Sequence, residues 1–131
     1  MPGVKTLASE RSGAACTTAG TILPMDDARP LLVVTTVATR EQALTLARSL
    51  VQQRLAACAQ VSATLSVYRW QGAVHEEPEH RVLFKTVAAR YAEVEAAIRA
   101  QHPYELPAIH AVATEQAWAP YAEWVADGAS G

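Results

Sequence analysis

Two long stretches of alternating side-chain character flank a single Gln-Gly pair, and they restrict the fold more than anything else in the chain. From Ala57 to Trp70 the period is two: Val61, Ala63, Leu65 and Val67 fall on one face, Ser62, Thr64, Ser66, Tyr68 and Trp70 on the other. Gln71-Gly72 supplies a two-residue turn, with Gly where a positive φ is wanted. The chain then returns from Ala73 to Val87. The outer part of this return, HEEPEH, is polar and carries Pro78, which removes a ladder donor and predicts a bulge or an edge, whereas Val82, Leu83 and Phe84 mark a buried inner end. Strands of about 14 residues are more than twice the usual length, so the hairpin must outrun a small sheet. Its unpaired edges call for cover, and the cheapest cover is a closed symmetric oligomer in which neighbours extend one another's sheets.

The remaining patterns set the order of elements. Leu31 to Val37 (LLVVTTV) is a short β-branched run suited to a buried strand. Thr39 and Gln42 form a T-x-x-Q capping box, after which Ala43, Leu44, Ala47, Leu50, Val51 and Leu55 recur at helical spacing. Beyond the hairpin, Tyr91, Val94 and Ile98 give a second amphipathic helix, ended by the restriction that Pro103 places on His102. Leu106 to Ala113 is a fourth strand, and Trp118, Tyr121, Trp124 and Val125 predict a short C-terminal helix pressing aromatics onto the body. The order β-α-β-β-α-β plus a terminal helix is the α+β, ferredoxin-like split βαβ: an antiparallel four-stranded sheet with two helices on one face.

Composition narrows the function classes. The chain has 131 residues, half of them hydrophobic, enough for one domain with a real core. Net charge is −2 and the eleven Lys and Arg residues are scattered, which argues against nucleic acid or anionic lipid as a partner. No apolar stretch approaches the roughly 20 residues of a transmembrane helix. Cys16 and Cys58 are too few for a disulfide framework and read as thiols of a reducing compartment. Residues 1–30 are rich in Ala, Ser, Thr and Gly without periodicity and read as a disordered tail ahead of a domain at 31–128. Glu10, Arg11, Ser12 and Gly13 interrupt any run of the about 7 to 15 apolar residues that a secretory signal needs, so the expected location is cytoplasmic. Met25 stands just before the ordered pattern and is a candidate start codon, a hypothesis that an intact mass matching Met1 would refute.

The segment HPYELP at 102–107 carries more chemistry than a helix-to-strand corner requires, because Gly, Asn or Pro alone would bend the chain. This corner, together with RLAACAQV at 54–61, SVYRWQG at 66–72, Glu79 with LFKT at 83–86 and PYAEW at 120–124, resembles the CutA (CutA1) divalent-cation tolerance family from Leu31 onward. The resemblance implies a ferredoxin-like subunit in a tight homotrimer similar to the PII signalling proteins, with polar clefts between subunits. It further implies a response to copper and other divalent metal ions, and no established reaction. Under it, Tyr68, Trp70, Glu79, Lys85, Tyr104, Glu105 and Trp124 line an inter-subunit cleft, and Cys58 and His102 are candidate metal ligands.

Two ligand classes compete for that cleft. Imidazole, thiolate and carboxylate suit Cu(II) or Zn(II), which would be bound without being obligatory cofactors. Lys85, the only lysine outside the tail, favours a small anion instead. Thr35 stands where some family members carry a cysteine, which removes one thiol from any copper site; Gln60 replaces a common Asn, and Ala111 to Ala113 a common Leu-Pro. Bland readings stand beside these: Cys58 as a small buried hydrophobe, His75, Glu76, Glu77, Glu79 and His80 as a solvated hairpin, His110 as a hydrogen-bonded interface or core residue, and His102 as a helix cap. A Cys58–His102 nucleophilic pair would lack an oxyanion loop, and the chain is expected not to be an enzyme.

Overall fold

β-Branched and apolar residues give β1 (Pro30–Val37), whose every side chain is buried or half-buried. The computed structural model describes residues 28–131, so the expectations for the tail, Cys16 and Met25 lie outside the described residues. Thr39 then closes the predicted capping box: its Oγ1 accepts from Gln42 N at 3.1 Å, and Gln42 Oε1 accepts from Thr39 N at 3.2 Å. Helix α1 (Arg40–Gln52) buries Ala43, Leu46, Ala47 and Leu50. It ends on Arg54, whose φ of 61° lets Leu55 N reach back to Leu50 O at 3.0 Å, the six-to-one bond of a Schellman motif.

The hairpin follows as β2 (Cys58–Trp70) and β3 (Ala73–Val87), joined through Gln71 and Gly72 at φ 53° and 83°. Two left-handed turn residues match the right-handed twist of the flanking strands. Pairing runs unbroken from Cys58↔Lys85 to Trp70↔Ala73, so the bulge expected at Pro78 is absent. Pro78 lies past the end of β1, where no strand among the described residues is waiting for its missing N–H. A single turn of 3₁₀ helix (Ala88–Arg90) leads into α2 (Tyr91–Gln101), which buries Val94 and Ile98. Strand β4 (Ile109–Ala113) starts three residues later than its pattern suggested, because Pro103 and Pro107 flank a corner outside the ladder. Helix α3 (Ala119–Gly128) completes the chain.

The sheet order is β2-β3-β1-β4, every neighbouring pair antiparallel, which is the ferredoxin-like split βαβ. Val33, Phe84 and Val82 point to one face and meet Leu46, Leu50, Val94 and Ile98 of the two helices. Lys85 and Val87 have the opposite parity, and there Val87 packs with Val125 and Ala129 of the α3 end. Helix α3 therefore turns Val125 inward, while Trp118 and Trp124 are 75% and 54% exposed rather than pressed on the body.

Strand β1 pairs β3 only as far as Val37↔His80. Beyond that point the hairpin continues as a two-stranded arm of about 20 Å. Leu65, Val67 and Val74 on this arm are each about 61–62% exposed, so the face that alternation assigned to the core lacks cover from the described residues of one subunit.

Candidate functional site

The corner after α2 is set by Pro103, which pushes His102 into extended backbone at φ −74° and ψ 135°. The imidazole folds back beneath the sheet end, where Nε2–H donates to the Thr36 carbonyl at 2.8 Å and Nδ1 accepts from Tyr104 N–H at 3.1 Å. Those two partners assign the neutral Nε2–H tautomer. Burial lowers the His102 pKa below its ordinary value, the Thr36 carbonyl opposing in part. The Tyr104 ring lies 4.7 Å from that of His102, and its hydroxyl donates to Glu79 Oε2 at 2.8 Å. Glu79 is 1% exposed, and its other oxygen, Oε1, is buried with no partner. Burial and then the Glu79 carboxylate drive the Tyr104 pKa far up, so the phenol stays a donor.

The arm continues this group. Tyr68 stacks on His75 at 5.3 Å and donates to Glu77 Oε1 at 2.9 Å. Desolvation and the Glu77 carboxylate raise its pKa, and Glu79 adds to the effect. The unbroken register keeps His75, Glu77 and Glu79 on one face, as alternation required, with Glu76 and His80 on the other.

A second group lies at the inner end of β3. Cys58, a free half-buried thiol, stands opposite Lys85, whose Nζ is 5.6 Å from the centre of the Tyr121 ring. Tyr121 in turn stacks on Trp124 at 6.2 Å. The chain thus divides the nine residues singled out in the sequence. Glu79, Tyr104, His102 and Tyr68 converge; Cys58, Lys85 and Trp124 form the other end; Trp70 is at the arm tip and Glu105 is exposed on the corner.

Thr36, which holds His102, pairs with Arg81, and Cys58 pairs with Lys85, four residues further along β3. That offset is about 13 Å, so one subunit does not bring thiol and imidazole into a common coordination shell. Among the described residues no three His, Cys, Asp or Glu side chains converge as metal ligands. Thr35 is fully buried with an unpartnered Oγ1, and His110 is exposed on β4 rather than buried in the subunit.

The Thr36 carbonyl is main chain and leaves no side-chain signal; Glu77 and Tyr121 stand in the quoted HEEPEH and PYAEW segments, but register and packing alone give them their partners Tyr68 and Lys85. Counting outward from the two-residue turn does pair Tyr68 with His75 and places Glu77 diagonally across.

No helix among the described residues is long and apolar enough to cross a membrane. Residues 31–128 match the family model described as CutA1 divalent ion tolerance protein. The divalent-cation tolerance protein CutA of Thermus thermophilus is 38% identical over 95 residues, spanning 72% of this chain and 92% of that relative. A probable homologue from Encephalitozoon cuniculi is 37% identical over 97 residues, spanning 74% and 85%. Among solved structures, CutA from Synechococcus elongatus superposes with a TM-score of 0.76 at 33% identity, covering 80% of this chain and 94% of that one. A neighbour at 26% identity, from Archaeoglobus fulgidus, is described as periplasmic. Sequence, fold and the ordered set of corner, arm and C-terminal residues agree, and the chain belongs to the CutA1 divalent ion tolerance family.

Proposed function

We propose that this protein works as a homotrimer that binds divalent metal ions such as Cu(II) or Zn(II) and takes part in the response to them. The observation that carries the reading is the arm. Two strands alone are at best marginally stable in water, yet this pair extends about 20 Å past β1 with Leu65, Val67 and Val74 in the open. Neighbouring copies supply the missing cover, and a ring of three leaves no free arm. Metal binding is supported by the relatives named for divalent-cation tolerance. Since no three donor side chains converge among the described residues of one subunit, the reading draws its ligands from more than one copy.

Light scattering of the purified chain, followed by calorimetric titration of Cu(II) and Zn(II), tests both halves. The expected result is the mass of three chains and saturable binding that is lost when the trimer is dissociated. A monomer, or binding no tighter in the trimer than in dissociated chains, would overturn the proposal.

A further inference from the structure

We infer that His75 and Glu77 on the arm, positioned by Tyr68, are the donors that one copy supplies to a divalent metal such as Zn(II) or Cu(II); this deepens the metal-binding half of the proposed function and rests on it. The chain has four histidines, and three of them are poorly placed to ligate. His102 has both nitrogens engaged inside the subunit, one on the Thr36 carbonyl and one on Tyr104 N–H, so a metal would have to break the corner to reach it. His80 has Pro78 and Val82 as its same-face neighbours on β3, and its Nδ1 is buried. His110 lies among the Ile, Ala and Val side chains of β4. His75 differs from all three. Its imidazole stacks on Tyr68 at 5.3 Å, and neither nitrogen has a hydrogen-bond partner among the described residues.

A carboxylate stands two residues along on the same face. The unbroken register places His75 and Glu77 side by side, about 7 Å apart along β3, and two side chains at that spacing can lean together onto one ion at the about 2.0–2.2 Å that Zn(II) asks of nitrogen and oxygen. Tyr68 holds both donors. Its ring lies 18° from parallel with the imidazole, and its hydroxyl donates to Glu77 Oε1 at 2.9 Å, leaving Oε2 without a hydrogen bond among the described residues. Donors fixed by a shared neighbour lose less rotamer freedom on binding, and a hydrogen-bonded carboxylate is characteristic of metal ligands. Tyr68 is not itself a ligand: desolvation, and then Glu77, raises its pKa and keeps it a phenol. An imidazole nitrogen with a carboxylate oxygen suits Cu(II) and Zn(II) better than Mg(II). Two donors do not close a coordination shell, so the remaining positions fall to water or to another copy, in keeping with the lack of three convergent donors among the described residues.

Calorimetric titration of Zn(II) and electron paramagnetic resonance of bound Cu(II), both on the full chain, test the assignment. His75→Phe keeps a ring on Tyr68 and removes both nitrogens, while Glu77→Gln keeps an acceptor for the Tyr68 hydroxyl and removes the charge. Each is expected to weaken Zn(II) binding about tenfold or more at unchanged oligomeric mass, and His75→Phe to abolish the nitrogen coupling of bound Cu(II). His75→Gln repeats the test should the bulkier ring alter assembly. Tyr68→Phe, which keeps the stack alone, should weaken Zn(II) a few-fold with the nitrogen coupling in place; undiminished affinity would remove Tyr68 from the site. His102→Asn should bind as the native chain does. No saturable binding by the native chain would sink the metal reading and this inference together. Native affinity and nitrogen coupling in His75→Phe, or their loss in His102→Asn alone, would sink this inference and leave the metal reading standing.

Discussion

Tyr104 donates its hydroxyl hydrogen to Glu79 Oε2 over 2.8 Å, tying the corner after α2 to β3 at the level where β1 has already ended. The same ring leans on His102, whose imidazole bonds the Thr36 carbonyl, so corner, β1 and β3 are joined by three polar side chains. The joint carries consequences for stability.

Tyr104→Phe should destabilise the fold by about 1–3 kcal/mol, because it strips a buried carboxylate of its donor while leaving the ring packing in place. Glu79→Gln, which removes the charge as well, should cost less than Tyr104→Phe. Urea denaturation at fixed protein concentration measures both, and an unchanged midpoint for Tyr104→Phe would contradict the role given to this bond.

His102 makes the protein sensitive to acid. Burial holds its pKa below 6.5 in the folded state, so the unfolded chain binds the proton more readily and stability is fully present above about pH 6.5. As the pH falls through the lowered folded value, that contribution is lost. Thermal unfolding at about pH 7.5 and about pH 5.5 should show a smaller difference for His102→Asn than for the native chain; equal differences would refute the assignment.

Gly128 lies against Ala57 at the end of α3. A Cβ there would stand 2.6 Å from Ala57 Cβ and 3.0 Å from Ala57 Cα, and the second of these is backbone that cannot rotate away. Gly128→Ala should therefore destabilise the fold by about 1–3 kcal/mol, despite its better helix propensity. Adding Ala57→Gly should recover part of the loss, and denaturation of the two single variants and the double variant gives the coupling.

Leu65→Asp and Val67→Asp each place a charge on an apolar face that one subunit leaves open. Both should preserve the far-ultraviolet spectrum of the domain while shifting the chain to monomers in light scattering. If both variants remain fully assembled, this face is not the buried part of the proposed contact.

Much of this architecture is legible in the residues. Thr39 with Gln42, the Gln71-Gly72 turn and Pro103 each act on the local backbone, and local signals survive into the fold. Non-local placement is harder to read. Trp118 and Trp124 have the spacing of a buried stripe, yet helix periodicity does not say which stripe faces the body, and Val125 with Ala129 fits the small space beside Val87. The candidate site separates in the same way: the His102–Tyr104 contact is local, whereas the split between the Glu79 and Lys85 ends follows from strand register. Alternation puts Leu65 and Val67 on the same face as Val61, but it does not reveal that the body ends before reaching them.

The uninterrupted β2–β3 register also quantises the arm's length. Adding or deleting one residue in a single strand would exchange its two faces beyond that point, turning Tyr68 to where Leu65 and Val67 now lie. Removing one residue from each strand restores pairing but still reverses the faces outside the cut, and it places the wrong kind of ladder pair beside a two-residue turn. An arm of this design can therefore grow or shrink only by two residues in each strand at a time, and a chain altered by any other step would need a different turn or a bulge.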